Sequence, residues 1–401
     1  MKLAYFGFPH RGGTYTVYRL LRDELAPSGT ELIWIGTGEA AHRAICDRAF
    51  APELAHGFVT GMPADGEQAQ ARALVAALET GGFDGVIVSV LADRAQTNAV
   101  RYLAAPMLRI MIVHNITPAT YAAARAIRDH VHATVGVSPR IRDDLVKSYG
   151  FDAKHTMVIS NGTDLAEHLP AARPFVPHGP LRLLSLGRIE DIAKGVFWLP
   201  QILEALPPDI TLTIAGTGPD AERLRALCAP LRERVRFTGE VGPDAVDGLM
   251  KTHDIFLAPS RFEGFMITAV EAMARGCVPV IARIHGVTDS IVTDGADGLL
   301  FPVGDWRAAA AAVLCLDGDR PLMHRLAAAG CWTAHERFRA DLMASRYHTL
   351  IRRLAHDRPP IAKPLSFDHW RMAGGLRPSL RSYLPAPIKN ALRVLRERAV
   401  S

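Results

Sequence analysis

Two glutamates eight positions apart are the residues whose types and spacing most directly suggest chemistry. Glu263 and Glu271 lie in PSRFEGFMITAVEAMARG, residues 259–276. Glu263 falls in a predicted loop, whereas Glu271 falls in a helical pattern, on the predicted buried face with Ile267 and Val270. An unpaired carboxylate is costly to bury, but two neighbouring sugar hydroxyls can both donate to it. The pattern predicts two carbohydrate-binding carboxylates; an ion pair between Glu271 and a nearby arginine is the alternative.

Two cations follow another predicted strand, in LLSLGRIEDIAKGV at 183–196. In open parallel sheets, ligands bind outside the carboxyl ends of the strands. Arg188 can bond two oxygens at once, and Lys194 adds a mobile point charge. This pair predicts a diphosphate site, although surface cations without a ligand are the alternative. Cations for a diphosphate and carboxylates for two sugar rings together indicate a nucleotide-sugar site.

Glycine loops and one histidine complete the candidate residues. Gly12 and Gly13 directly precede a predicted helix, where backbone can approach a ligand and N–H groups favour an anion; a plain tight turn is the alternative. GTGEAA (36–41) and GTGPDA (216–221) fit a dinucleotide pattern, but neither follows the first strand of its series, so ordinary turns are favoured. His114 ends a predicted strand and is either a crevice residue or a satisfied polar group.

The elements that must position these residues form two alternating series. The predicted strands are 2–7, 31–35, 85–90, 109–113 and 133–137, then 181–186, 210–215, 234–238, 254–258 and 278–282. The helices that we delimit are 14–26, 67–80, 94–104 and 139–149 in the first series, and 305–316, 319–329 and 335–356 at the end of the second. This alternation predicts an α/β fold of two doubly wound domains, each with a parallel sheet.

Proline placement predicts the domain boundaries. PAARPFVPHGP, at 170–180, holds four prolines and reads as a linker. We expect an acceptor-side domain at 1–169 and a donor domain at 181–335. Helices at 336–358 are expected to pack back toward the first domain, and 359–401 forms a basic tail.

Composition limits the class of protein. The chain has 401 residues, of which 49% are hydrophobic and 22% charged, as is typical of globular proteins. No apolar run reaches the length of a membrane span, and the start of the chain predicts a buried strand rather than a signal peptide. Five scattered cysteines favour a cytoplasmic location over a disulfide framework or structural zinc.

The basic excess belongs to the tail. Residues 359–401 carry eight Lys and Arg against two Asp and Glu, whereas the whole chain has a net charge of +5. This distribution disfavours a nucleic-acid surface. Within the tail, PAPIKNALRVLRERAV predicts a helix with an apolar stripe of Ile388, Ala391, Leu392 and Leu395. Two alternatives remain open: the stripe docks on the body, or residues 386–401 lie on an anionic membrane surface, which would make the protein peripheral on the cytoplasmic face.

Several segments together resemble one family, the retaining glycosyltransferases of family 4. The segments are GGTYTVYRLL, IVHN, VGVSPRIRDDL, VISNGTDL, LGRIEDIAKGV, IAGTGP, VRFTGEV, APSRFEGFMITAVEAMARGCVPVIA and GADGLLFPVGD. The resemblance covers about residues 1–350, and 185–304 is its specific part. It implies the GT-B fold, in which two Rossmann-like domains face each other across a cleft.

The resemblance also implies roles for individual residues. It makes His114, Arg188, Lys194 and Glu263 catalytic. The donor-binding residues that it implies are Gly12, Gly13, Arg188, Lys194, Gly216, Glu240, Val241, Glu263, Gly264, Phe265, Met266, Ile267, Thr268 and Glu271. Met266 stands where relatives commonly have a small residue, so we expect a narrower sugar pocket. The tail beyond about 359 lies outside the family pattern.

The implied activity is retaining transfer of a hexosyl or N-acetylhexosaminyl group from a nucleotide-diphospho-sugar, most simply a UDP- or GDP-sugar. The expected acceptor is a hydroxyl of a glycan or lipid-linked sugar, in polysaccharide or glycoconjugate assembly. No metal and no cofactor are expected. The alternatives are a nucleotide-sugar epimerase or hydrolase on the same fold, a Rossmann oxidoreductase, and a binding protein without activity.

Overall fold

The computed structural model describes residues 1–90, 93–165, 178–377 and 385–400. It separates into two compact units. Unit 1 comprises Met1–Asp164 and Ala340–Ser382, and unit 2 comprises Leu165–Arg339 and Tyr383–Ser401. Each unit contains one parallel sheet with helices, so the predicted pair of α/β doubly wound domains is confirmed.

Unit 1 is built on a seven-stranded sheet. Its strands are β1 (Lys2–Phe6), β2 (Glu31–Thr37), β3 (Gly57–Thr60), β4 (Gly85–Ser89), β5 (Leu108–Val113), β6 (Ala133–Gly136) and β7 (Thr156–Val158). They pair in the order β3-β2-β1-β4-β5-β6-β7, all parallel. Its helices are α1 (Gly13–Leu25), α2 (Gly38–Cys46), α3 (Glu67–Thr80), α4 (Arg94–Ala99), α5 (Pro118–Ile127), α6 (Pro139–Tyr149) and α14 (Ala340–His356).

Unit 2 is built on a six-stranded sheet. Its strands are β8 (Arg182–Leu186), β9 (Thr211–Ala215), β10 (Val235–Gly239), β11 (Ile255–Ala258), β12 (Val278–Arg283) and β13 (Leu299–Pro302). They pair in the order β10-β9-β8-β11-β12-β13, all parallel. Its helices are α7 (Asp191–Lys194), α8 (Leu199–Glu204), α9 (Ala221–Cys228), α10 (Pro243–Thr252), α11 (Ile267–Ala274), α12 (Trp306–Gly318), α13 (Arg320–Arg337) and α15 (Ala386–Val400).

The strand order creates one switch point in each sheet. In unit 2, β8 and β11 are neighbours, but the chain runs from β8 to β9 on one side and from β11 to β12 on the other. The loops that leave these two strands therefore diverge and open a crevice at the carboxyl ends. In unit 1, β1 and β4 form the equivalent point.

Three short strands and two helix bounds differ from the predictions. Strands β3, β7 and β13 were not predicted, because each has only three or four residues and too few alternations to give a pattern. The predicted helix 94–104 ends at Ala99 and continues as a 3-10 turn, Val100–Tyr102. The predicted helix 335–356 is interrupted, since Phe338 leaves α13 and packs edge-on against Phe265, with ring centroids 5.7 Å apart.

The expected domain boundaries remain a prediction. Residues 166–177, which include most of the predicted linker, lie outside the described residues. No helix in the described part of the chain combines the length and the apolar character needed to cross a bilayer.

Candidate active site

A pocket lies at the switch point of unit 2, where β8 and β11 end. The loop after β8 contributes Arg188, the short helix α7 contributes Lys194, and the loop after β11 contributes Ser260 and Glu263. The sequence-predicted cations and the loop glutamate are therefore brought together in one cavity. Arg188 is exposed and Lys194 is half-buried, so both positive groups remain accessible from solvent.

Lys194 and Glu263 form the polar centre of this pocket. The Lys194 Nζ lies 2.6 Å from the Glu263 Oε1, and the Ser260 hydroxyl donates to the same oxygen at 2.8 Å. Glu263 is only 9% exposed, so its partners replace the water that its carboxylate would otherwise bind. An ammonium has three N–H donors. One is directed at Glu263, which leaves capacity for an anionic ligand.

Gly195 allows α7 to lie against the β11 loop. Its φ of 61° is in the left-handed region and ends the helix after Lys194. A Cβ atom at this position would lie 2.2 Å from the Pro259 carbonyl oxygen. Glycine therefore permits the close contact that places Lys194 beside Glu263.

Arg261 ties the same two segments together, and sequence reasoning missed it. Its guanidinium pairs with the Asp191 carboxylate at 2.9 Å and lies 4.0 Å from the centre of the Trp198 ring. Its backbone N–H donates to the Ala193 carbonyl oxygen at 2.7 Å. The available signal was the single basic residue of PSRFEGF, two positions before Glu263. A buried arginine in this position holds α7 in place rather than contacting the pocket.

Gly216 and Gly218 support the loop that carries Arg188. A Cβ atom on Gly216 would lie 2.0 Å from the Gly187 carbonyl oxygen, and one on Gly218 would lie 2.2 Å from that of Ile189. The Ile189 N–H donates to the Thr217 carbonyl oxygen at 2.8 Å. These glycines let two backbone segments touch, which is a structural reason for the GTGPDA turn.

Glu271 lies one turn into α11 and is not among the residues that line the pocket, which extends along this helix to Thr268. Glu271 and Ile267 are partly buried, whereas Val270 and Ala274 are fully buried. Ile267 and Glu271, four positions apart, share one side of α11, and that side is less completely buried than the one that carries Val270 and Ala274.

The alternative for Glu271, an ion pair with a nearby arginine, does not form in the described part of the chain. Arg275 instead donates to the Asp247 carboxylate at 2.9 Å. Burial raises the pKa of Glu271 to about 7, and the charge of Arg275 opposes this shift. The carboxyl group of Glu271 thus lacks a hydrogen-bond partner among the described residues.

The remaining donor-side predictions fall in two places. Met266 is buried and lines the pocket with Thr268. Gly264, Phe265 and Ile267 lie in the same segment but are not among its lining residues. Glu240 and Val241 follow the edge strand β10, two strands away from β8, and do not line the pocket either.

Gly12, Gly13 and His114 belong to unit 1. Gly12 directly precedes α1 and its carbonyl oxygen accepts from the N–H groups of Tyr15 and Thr16. The Nε2 atom of His114 is buried and has no hydrogen-bond partner in the described ranges. Burial and the nearby charge of His10 lower the pKa of His114 to about 4, so its imidazole is neutral near pH 7.

His10 is a further unit 1 residue that sequence reasoning did not select. Its Nδ1 lies 2.9 Å from the Phe8 carbonyl oxygen, and its Nε2 lies 2.9 Å from the Thr14 hydroxyl. The carbonyl oxygen can only accept, so Nδ1 carries a proton and donates to it. Because the two ring nitrogens contact Phe8 and Thr14, the His10 ring bridges both ends of the glycine loop. Its signal was a histidine two residues before Gly12.

Sequence comparison gives a family match over the donor side. Residues 180–319 match the family described as glycosyl transferases group 1. The chain is 32% identical over 231 residues to a phosphatidyl-myo-inositol mannosyltransferase of Mycobacterium leprae, which covers 55% of this chain and 59% of that protein. It is also 32% identical over 243 residues to the lipopolysaccharide core biosynthesis mannosyltransferase LpsB of Rhizobium meliloti, covering 56% and 66%. The matched region thus spans somewhat less than two thirds of these relatives.

Structural comparison extends over most of the chain. HepE of Anabaena in complex with UDP superposes with a TM-score of 0.71 at 17% identity, covering 88% of this chain and 100% of HepE. A sucrose-phosphate synthase of Thermosynechococcus elongatus superposes with a TM-score of 0.73 at 18% identity, covering 88% and 99%. At such low identity these matches establish the fold. The chain therefore has the GT-B fold, as its sequence motifs predict, and its residues 180–319 are similar to the glycosyl transferases group 1 family.

Proposed function

We propose that this protein is a retaining glycosyltransferase that moves a hexosyl or N-acetylhexosaminyl group from a nucleotide-diphospho-sugar to an acceptor hydroxyl. The observation that carries the proposal is the switch-point pocket, where Arg188, Lys194 and Glu263 meet. Cations beside a buried carboxylate suit a ligand that joins a diphosphate to a sugar. The relatives named as mannosyltransferases support a hexosyl donor.

Each part of the donor has a candidate partner in unit 2. Arg188 and Lys194 bind the diphosphate, and Glu263 accepts from hydroxyls of the transferred sugar. The N–H groups at the start of α11, near Met266 and Thr268, offer further donors. The unpartnered carboxylate of Glu271 accepts from the ribose hydroxyls. Neighbouring structures with UDP and with UDP-glucose support a uridine nucleotide, and a guanosine nucleotide is the second candidate.

The chemical step follows from these charges. As the sugar bond to the diphosphate breaks, negative charge develops on the leaving phosphate. Arg188, Lys194 and the positive end of α11 stabilise that charge without rearranging, which lowers the barrier. The acceptor hydroxyl attacks from the same face and transfers its proton to a leaving-group oxygen, so the anomeric configuration is retained. No metal enters this scheme.

The acceptor side belongs to unit 1 in this proposal. His114, which is neutral, offers the acceptor a hydrogen bond rather than a charge. Gly12 and Gly13 keep the role that the resemblance implies, in which their backbone N–H groups bind phosphate of the donor. The acceptor is a glycan or a lipid-linked sugar, in polysaccharide or glycoconjugate assembly. Relatives named for phosphatidyl-myo-inositol and for lipopolysaccharide core support this class. The proposal locates the protein in the cytoplasm, with an anionic membrane surface as a partner of 386–401.

Nucleotide binding is the direct test of the donor site. In a thermal-shift panel of UDP-, GDP- and ADP-sugars without added metal, one nucleotide should raise the unfolding midpoint. Glu271→Ala should abolish that rise, whereas Glu233→Ala, at an exposed glutamate of unit 2, should retain it. Stabilisation by NAD(P) alone would favour the oxidoreductase, and stabilisation by no nucleotide would contradict the proposal.

Turnover separates transfer from the other reactions on this fold. A transferase consumes its donor rapidly only when an acceptor is present, and its product keeps the anomeric configuration. Donor consumption at the full rate without acceptor would favour the epimerase or hydrolase. Product of inverted configuration would contradict the retaining mechanism.

A further inference from the structure

The tail helix α15 packs on unit 2 through its polar face. Arg393 lies 4.1 Å from the centre of the Phe262 ring and donates to the Ile192 carbonyl oxygen at 3.2 Å. Arg398 donates to the Val303 carbonyl oxygen at 3.0 Å. Glu397, on the same face, is only 6% exposed. Of the two alternatives left open by the sequence, docking of the apolar stripe on the body is therefore not what the structure shows, because Arg393 and Arg398, with their backbone partners, lie on the docked side.

The opposite face of α15 exposes its large apolar side chains. Ile388 is 48% exposed, Leu392 is 54% exposed and Leu395 is 65% exposed. Their spacing of four and three residues places them on one side of the helix. The contacts with Phe262 and Val303 hold this side outward, so the stripe is a fixed feature of the unit 2 surface.

Charge around the stripe indicates what covers it. Lys389 and Arg396 lie on α15 beside the apolar residues, and Arg396 is exposed. The stripe from Ile388 to Leu395 is only about 10 Å long at 1.5 Å per residue. A stable protein interface needs about 800 Å² on each partner, which a patch of this length does not supply. A second copy of the chain would also bring the same basic groups face to face.

An anionic lipid surface fits both properties. Interfacial helices bury a narrow apolar face at the level of the headgroups and keep Lys and Arg near the lipid phosphates. They need no matching protein surface, so a short stripe is sufficient.

We propose that α15 binds the surface of an anionic phospholipid bilayer through Ile388, Leu392 and Leu395, with Lys389 and Arg396 contacting the lipid headgroups. Its docked face at the same time connects the membrane to the loop that carries Glu263, because Arg393 contacts Phe262. The bilayer thus holds the donor unit through a helix that lies outside the glycosyltransferase pattern.

Vesicle co-sedimentation of the full chain tests this proposal without donor or acceptor. The unaltered protein should sediment with vesicles of phosphatidylcholine and phosphatidylglycerol and much less with phosphatidylcholine alone. The double variant Leu392→Glu/Leu395→Glu should lower the bound fraction at least about ten-fold, because each change places a charge in the lipid-facing stripe. The matched control Leu227→Glu, at another leucine that is 44% exposed, should leave binding unchanged.

Three outcomes would overturn the proposal. The first is equal binding of the protein and its double variant to anionic vesicles. The second is no binding of the unaltered protein. The third is a dimer in sedimentation velocity that the double variant disperses, which would assign the stripe to a second copy.

The unfolding midpoint of each variant shows whether it is folded. A variant Lys389→Ala/Arg396→Ala that binds less to anionic vesicles, with unchanged binding to phosphatidylcholine vesicles, would support the role of charge. Because the readout is lipid binding, it fails or succeeds independently of glycosyl transfer.

Discussion

The switch points of the two units share their topology but differ in chemistry. In each sheet the first strand of the unit, β1 or β8, lies beside its fourth, β4 or β11. In unit 2 this point gathers Arg188, Lys194 and Glu263 in one pocket. In unit 1 the loop after β1 is rich in glycine and is bridged by His10.

This difference shows that the fold supplies a crevice twice and that loop residues decide its use. A parallel sheet makes the crevice wherever strand order reverses, but function depends on the side chains placed there. Unit 2 places full charges at its crevice, whereas the neutral His114 offers unit 1 only a hydrogen bond. We therefore expect donor affinity to depend on unit 2, and variants of unit 1 to affect acceptor reaction.

The largest expected effect is at Lys194. Lys194→Ala removes the cation beside Glu263 and should lower kcat on the order of 100-fold, since the leaving diphosphate loses a preorganised charge. The kcat of this variant is measured by steady-state kinetics, with the nucleotide-sugar that the thermal-shift panel identifies as the donor. The control Lys251→Ala, at an exposed lysine of unit 2, should keep kcat. A Lys194→Ala enzyme with an unchanged kcat would remove the distinction between the two crevices.

Gly218 tests whether backbone contact builds the unit 2 crevice. Gly218→Ala places a Cβ atom 2.2 Å from the Ile189 carbonyl oxygen, so the loop of Arg188 must shift. We expect a loss of about 1–3 kcal/mol in unfolding free energy, measured by urea denaturation. Gly248→Ala in α10 meets no atom within 4 Å and should be neutral or slightly stabilising. Equal stability of both variants would contradict this account.

Glu271 predicts a pH dependence of donor binding. Its carboxyl has a pKa near 7, so it is mostly protonated at pH 6 and mostly ionised at pH 8. Ribose hydroxyls donate to the ionised form, and the affinity should therefore rise about ten-fold between these pH values. Calorimetric titration at both values measures this rise, and Glu271→Gln should bind weakly with no such rise.

The same pKa also affects the stability of the free protein. The folded state keeps a proton on Glu271 between the ordinary carboxyl pKa of 4.5 and about 7. The unfolded chain has released that proton, so unfolding free energy falls as pH rises through this window. Glu271→Gln should therefore stabilise the free protein at pH 8 relative to pH 5. A variant with the same pH profile as the unaltered protein would exclude a raised pKa.

The smallest effect on donor binding is expected in unit 1. His114→Ala should change nucleotide affinity by less than about two-fold while it lowers transfer to acceptor, because proton transfer and hydrogen bonding contribute at the reaction step. Binding and turnover measured on the same preparation separate the two. A large loss of nucleotide affinity would place His114 in the donor site and weaken the comparison of the units.

Local sequence patterns were sufficient to identify many of the residues of the candidate site. Arg188 and Lys194 were found because both follow a clear apolar strand, and the confirmed family resemblance over 180–319 rests on the same motifs. Arg261 could not be found in this way. Its partners Asp191 and Trp198 lie about 60 to 70 positions away in the sequence, and no periodic pattern links them.

The sequence by itself determined most of the longer strands and helices and which chemical groups follow each predicted strand. Those properties are local, because apolar periodicity and turn residues act over a few positions. Only the tertiary structure decided that β8 and β11 are neighbours, that Arg261 holds α7, and that α15 docks through its charged face. Each of these depends on contacts between distant segments, where packing and backbone hydrogen bonds outweigh the local preference to bury the more apolar side.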